Sequence, residues 1–298
     1  MAAVRAASRT LISPAQLNRP TGRVAYWAVF CLTTVVFALV FLFPLYWMFA
    51  GGLKSPQEII QIPPTLLPSH PHPGNYSTAW SEADMGQLLW NTTFYAGGAL
   101  AFQLVFDVGA AYAFSKLRPA LGGVILFGMM ATLMIPTSVL ALPTYLTANS
   151  LPFVHWSLLN TPWVIWLPSV ASNAFSIVLL KRFFDSIPAE LLAAASIDGA
   201  GPLRALWSVV LPMSRPILGV VSIFGTVAVW KDVLWPLLVL TDPTKSTVNT
   251  GLLNLTGDGI PENILMASLA IAALPTIVFF LVFQRSIMSG LTAGSLKG

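Results

Sequence analysis

Residues 188–216 read PAELLAAASIDGAGPLRALWSVVLPMSRP and lie between two long apolar segments. Pro188 suits the first turn of a helix, where its missing N–H is not needed. Glu190 falls in the same turn, near the positive end of the helix dipole. Leu191, Leu192, Ala193, Ala194, Ala195 and Ile197 are good or adequate helix formers, and Gly199 can take the left-handed conformation that closes a helix. The pattern predicts a helix of about ten residues, half of the ~20 needed to cross a bilayer. Its alanine surface lets a partner's backbone or groove come close. Asp198 opposes the dipole at the helix C-terminus, so it needs a turn role or a compensating partner, a charge that Arg204 or a neighbouring protein could supply.

The rest of the chain explains the flanking apolar segments. Of 298 residues, 56% are hydrophobic and 9% charged, and the mean hydropathy is +0.76. A soluble domain carries about 25% charged residues. The expected fold class is therefore an all-α integral membrane protein with six transmembrane helices and a cytoplasmic helix in the 186–213 loop. Apolar runs at 24–50, 89–114, 121–146, 160–182, 214–240 and 263–285 are each long enough to span. Gly97, Gly98, Gly109, Pro136, Pro143, Pro168 and Pro275 lie within them, and predict kinks and close helix crossings.

Residues 1–23 read as a cytoplasmic leader. Their basic region is long, the following apolar run has full span length, and no small-residue cleavage site is evident, all against a signal peptide. Residues 51–88 are proline-rich, with IPPTLLPSHPHPGNY at the centre, and read as an extended extracytoplasmic loop. Residues 24–289 make up the membrane domain and 290–298 a cytoplasmic tail. Loop charge sets the orientation. With the N-terminus inside, Arg5, Arg9, Arg19, Arg23, Lys116, Arg118, Lys181, Arg182, Arg204, Arg215, Arg285 and Lys297 collect in the cytoplasm. Only Lys54 and Lys245 fall outside, and Lys231 is within a span. Both termini and the 188–216 stretch are thereby expected in the cytoplasm.

Several chemistries find no support. Cys31 is the single cysteine, so no disulfide framework exists. His70 and His72 have no third ligand near them, and no metal site is expected. Basic residues are dispersed beside apolar spans, which is not a nucleic-acid signal. Gly51–Gly52–Leu53–Lys54–Ser55 lacks the spacing of a phosphate-binding loop, so ATP and Mg²⁺ would have to act on other subunits. Asn91–Thr92–Thr93 fits a glycosylation triplet, but opens a span and reads better as a helix start. No catalytic residue is expected.

Ionisable residues inside a span are functional candidates. Asp107 lies in the second span, with Tyr112 and Lys116 further inward. Lys231 and Asp232 are adjacent in the fifth, within WKDVLWPLLVL, and point about 100° apart on a helix. Trp230 and Trp235 could stack on sugar rings, with Asp232 accepting hydroxyl hydrogen bonds. The alternative places both tryptophans in an interfacial belt.

The 188–216 stretch resembles the cytoplasmic loop of ABC-importer permeases, through Ala194, Ala195, Asp198, Gly199, Ala200, Leu211, Pro212 and Pro216. The family's glutamate position holds Ala193 here, and Glu190 lies one turn earlier on the same helix face. WKDVLWPL resembles the sugar branch, with Lys231 where asparagine is usual. The 43–59 stretch FPLYWMFAGGLKSPQEI and the terminal QRSIMSGLTAGSLKG resemble the shorter of the two paired permeases in maltose-type systems. This resemblance implies a coupling helix docked on an ATPase subunit, with the tail as a second contact. It also implies a second homologous permease, two ATPase subunits, an extracytoplasmic solute-binding protein and a sugar substrate at a bacterial inner membrane. The competing reading is a stand-alone secondary transporter or channel, which would need a relay of buried charges. A membrane scaffold is a third, and would leave the Asp-Gly-Ala loop dispensable.

Overall fold

The computed structural model describes residues 20–171, 173–257 and 259–293. All regular structure among them is helical. The expected leader lies outside the described residues except for 20–23, which open the first helix. Residues 290–293 of the expected tail continue the last helix, and 294–298 lie outside.

Three helices are long and apolar enough to cross a bilayer as single rods. These are α1 (Pro20–Gly51), α4 (Met85–Tyr112, prolonged by a wide π turn, Ala113–Leu117) and α15 (Glu262–Ala293). The other three expected spans are not continuous. α5 (Gly122–Thr132) and α6 (Thr137–Asn149) meet at 105°, and α7 (Trp163–Ala171) and α8 (Ala174–Asp185) at 49°. The expected 214–240 span stops at Lys231, where α12 (Arg215–Lys231) ends, and resumes as α13 (Leu234–Val239). Local chemistry accounts for two of these breaks. Pro136 pushes Ile135 out of the helical region, and the chain restarts at Thr137. Asp232 adopts an extended conformation (ψ 132°), and its carboxylate accepts the Trp235 N–H at 3.4 Å, capping α13. Pro143, Pro168 and Pro275 sit inside helices that continue through them.

The 51–88 region is more ordered than its prolines suggest. It contains α2 (Pro56–Ile59) and α3 (Gly74–Glu82), and the second span begins at Met85 rather than 89. Polar contacts pin the segment down. Lys54 is 1% exposed; its ammonium lies 4.3 Å from the Trp47 ring centre and donates to the Thr65 carbonyl. Glu58 accepts from the Ser69 N–H (2.9 Å), the Ser69 hydroxyl (3.0 Å) and the Thr65 hydroxyl (3.0 Å). Asn75 donates to the Gly52 and Lys54 carbonyls, each at 2.9 Å.

α4 is the mast of the molecule. Its N-terminal end packs in a cluster with α3, α15 and α14 (Val248–Gly257). Tyr95 joins a second cluster with Ala148, Val164, Ile165 and Val239. Val108, Ala111 and Tyr112 enter a third, with residues of α8 and α12. Buried positions such as Leu88, Thr92, Tyr95, Ala99, Gln103 and Asp107 recur at helical spacing, and alanines among them let neighbours approach closely. Asn91 and Thr92 do not start this helix. They lie in its second turn, and Thr92 accepts the Val248 N–H at 2.8 Å while Asn91 donates to Thr244 and Ser246 carbonyls. Their task is to hold the N-terminus of α14.

Candidate functional site

The 188–216 loop forms from its ends inward. Ile187, Leu206 and Val210 are buried in the cluster shared with Tyr112, Leu180, Phe184 and Val221. Tyr112 donates its hydroxyl to the Pro202 carbonyl at 3.0 Å, and Lys116 its ammonium to the Ile187 carbonyl at 3.1 Å. Between these clamps lies α9 (Ala189–Ile197), with Pro188 just outside it as the capping residue. No residue of α9 is fully buried; Leu192 packs on the cluster beneath.

The helix ends as its glycine predicts. Gly199 has φ +78°, and the Ala200 N–H returns to the Ala195 carbonyl at 2.8 Å, the closing bond of a left-handed C-terminal motif. A π turn (Leu206–Val210) and a short helical turn, α11 (Leu211–Met213), follow α10 (Pro202–Ala205). Pro212 donates no backbone hydrogen bond, and its ring crowds the carbonyl four residues back, which favours the widened turn before it. The 202–213 segment then meets α12 at 83°.

The surface of this lever is apolar. Ile197 is 87% exposed, Leu203 73% and Trp207 71%, with Leu191 beside them. Ile197, Leu203 and Trp207 are the functional candidates that sequence reasoning passed over, because helical propensity does not say which side of a short loop helix stays open. Glu190, Ala193, Ala194, Asp198 and Pro212 are exposed, and Ala195, Ala200 and Leu211 half-buried. Arg204 does not compensate Asp198: the ion pairs among the described residues are Lys181–Asp185 and Lys245–Asp242.

The second set of candidates is not one site. Asp107 is fully buried on α4; among the described residues neither carboxyl oxygen meets a partner at hydrogen-bond distance, and the Gln103 amide is the side chain placed to donate to it. Tyr112 and Lys116 are engaged with loop carbonyls instead. Gln103, one turn outward, lies against Gly225 of α12, which places Asp107 roughly 15 Å along the bundle from Lys231 by helix rise. Trp230, Lys231, Asp232 and Trp235 do surround the break between α12 and α13. Asn249 holds the Trp230 carbonyl at 2.8 Å. Trp235 donates its indole N–H to the Val164 carbonyl at 2.8 Å and packs beside Tyr95 and Val239. Lys231 is exposed, and Asp232 is turned to the amides of α13 rather than to it. No cluster of three metal-ligating side chains occurs among the described residues.

Residues 106–291 match the family described as binding-protein-dependent transport system inner membrane component. The chain is 30% identical over 273 residues to the sn-glycerol-3-phosphate transport system permease protein UgpE of Yersinia enterocolitica, covering 88% of this chain and 95% of the relative. It is 27% identical to the diacetylchitobiose uptake system permease protein NgcG of Streptomyces coelicolor, covering 88% and 86%. It is 30% identical to the sulfoquinovosyl glycerol transport system permease protein SmoH of Agrobacterium fabrum, covering 86% and 89%. Among solved structures, a chain of a bacterial ABC transporter involved in the import of the acidic polysaccharide alginate superposes with a TM-score of 0.79. The two are 24% identical, over 90% of this chain and 98% of that one, a likeness of fold.

Proposed function

This chain belongs to the binding-protein-dependent transport system inner membrane components, and we propose that its 188–216 loop is where work from an ATPase subunit enters. The protein is a multi-pass membrane permease. The observation that carries the coupling role is the pairing of an open apolar lever with two buried ends. A force on Ile197 or Trp207 reaches Ile187 and Val210 without slack, and so reaches α4, α8 and α12. Two ATPase subunits carrying ATP and Mg²⁺, and a second permease, complete the assembly in this reading. Asp198, without an ion pair among the described residues, is then free to meet a cation on the ATPase. Glu190 offers a second carboxylate near the helix start. Both termini and the lever face the cytoplasm, and closure of the ATPase dimer swings the spans between inward- and outward-facing states.

Substituting Gly199 by valine tests this. A β-branched residue at φ +78° is strained by about 1–2 kcal/mol, yet nothing lies within 4 Å of the added carbon, so the bundle itself is undisturbed. Uptake is expected to fall at least tenfold with membrane insertion retained. Trp207→Glu should give the same loss without backbone strain, together with reduced co-purification of the ATPase. Unchanged uptake in both variants would refute the coupling role.

The solute is a carbohydrate or a carbohydrate derivative delivered by an extracytoplasmic binding protein, a reading supported by the names of the relatives. Trp230, Lys231 and Asp232 at the α12–α13 break are the pathway residues of this reading. Lys231 has no ion pair among the described residues, and an acidic solute group would provide one. Replacing it with glutamine should raise the half-saturating concentration for an acidic solute and leave that for a neutral one unaltered.

A further inference from the structure

Around the inner ends of α4, α5 and α8, four cations face one carboxylate. The chain leaves α4 through the π turn and reaches Arg118, whose N–H closes on the Ala113 carbonyl at 2.8 Å. Arg118 has φ +49°, a conformation that glycine takes freely and arginine does not. A long cationic side chain kept at a strained position points to a task for that side chain. Its Nε donates to the Ser115 carbonyl at 3.2 Å, which fixes the stem, and the terminal guanidinium nitrogens have no partner among the described residues. Asp185, the carboxylate of the cluster, is taken by the Ser115 hydroxyl (2.7 Å) and the Lys181 ammonium (2.7 Å). Lys116 is directed to the Ile187 carbonyl and Arg182 is exposed.

Arg118 and Lys181 border a notch of about 130 Å³ whose walls are Phe114, Pro119, Gly122 and Leu126. Beyond it, the outer side of α5 is bare apolar surface, with Val124 71% and Phe127 75% exposed. An open cationic rim above apolar wall is the pattern of a lipid headgroup seat, and a guanidinium with free terminal nitrogens suits a phosphate.

We propose that this notch binds the phosphate of an acidic phospholipid, held by Arg118 and Lys181, with the acyl chains lying along α5. The volume accommodates a phosphate and its glycerol linkage, not a whole lipid. The lipid would tie the inner ends of three spans together beside the lever, independently of which solute the permease carries.

The test uses the full-length chain in its assembled transporter, reconstituted in phosphatidylcholine with or without phosphatidylglycerol. Native mass spectrometry counts retained phosphatidylglycerol, and thermal midpoints are read in each lipid. Arg118→Gly relieves the strained backbone, so its midpoint in phosphatidylcholine should be unchanged or higher. Its phosphatidylglycerol retention should fall about fivefold, the worth of one basic residue at an anionic surface. Gly123→Leu fills the notch from a position with nothing within 4 Å, and should lose retention with every charge in place. Arg182→Gln, outside the notch, should retain the lipid. Equal retention in Arg118→Gly and wild type overturns the proposal. So does an equal loss in Arg182→Gln, which would mark a general charge effect. Stabilisation by inorganic phosphate matching that by the lipid would reassign the notch to a free anion.

Discussion

Gly98 has no room for a methyl group. A β-carbon there would lie 2.2 Å from the Trp166 indole, which is fixed by its N–H to the Tyr95 carbonyl at 3.2 Å. Gly98→Ala should destabilise the purified protein by about 1–3 kcal/mol through overpacking. Combining it with Trp166→Leu should recover part of that loss, a non-additivity readable in thermal midpoints. Asp107 presents the opposite situation, a buried carboxyl group whose oxygens meet no partner at hydrogen-bond distance among the described residues, with the Gln103 amide one turn away placed to donate. Replacing it by asparagine removes a group that burial can only penalise as an ion, so the midpoint should hold or rise. A clear fall would show that a donor, the Gln103 amide or one on another subunit, holds the carboxyl group. The sequence marked both residues, since a charge and a paired glycine inside an apolar run are conspicuous. It did not show that Asp107 and Lys231 are separated, because that depends on the register of α4 against α12. Nor did it show that Trp235 is committed to a backbone carbonyl, since an indole reads the same in packing as in a binding site.

At the scale of elements, the proline-rich segment after α1 behaves as a folded cap. The Ser69 N–H, together with the Ser69 and Thr65 hydroxyls and the nearby Lys54 ammonium, holds the Glu58 carboxyl below its ordinary value against a smaller opposing effect of burial. A carboxyl depressed in the folded state stabilises above its unfolded value and loses that contribution as pH falls through the folded one. Hydrogen-exchange protection factors over residues 60–73, taken against the intrinsic rate at each pH, should therefore be high at neutral pH and fall below pH ~4.5, the ordinary glutamate range. Glu58→Gln should lower that protection at neutral pH and remove its fall in acid. Composition alone marked this segment as a loop, because five-membered rings forbid a membrane helix, but the buried Lys54 that gathers it was invisible. Helix breaks were hidden for a related reason. Pro136 and Pro143 look alike in an apolar run, yet one ends a helix and the other rides within it.

For the whole molecule, length, apolar fraction and loop charge were enough to read a multi-pass helical bundle. The count of unbroken rods was not, since two of the expected spans are bent pairs and a third stops at Lys231 and resumes at Leu234. The proposed orientation can be checked directly because Cys31 is the chain's single cysteine. In a Cys31→Ser background, a cysteine replacing Ser77 should react with a membrane-impermeant maleimide in intact spheroplasts. One replacing Ser196, exposed on the lever, should react only after lysis. The reverse pattern would invert the topology and remove the lever from the nucleotide compartment.

The mast has a mechanical corollary. α4 is about 42 Å of unbroken helix by its rise per residue, and each of its ends is gripped by a different group of neighbours. A rod held this way resists bending, so a sideways tug at Tyr112 must reappear at Met85 as a swing of opposite sign. The crowded middle, where Gln103 rests on Gly225 and Gly98 on Trp166, would be the oarlock for that stroke.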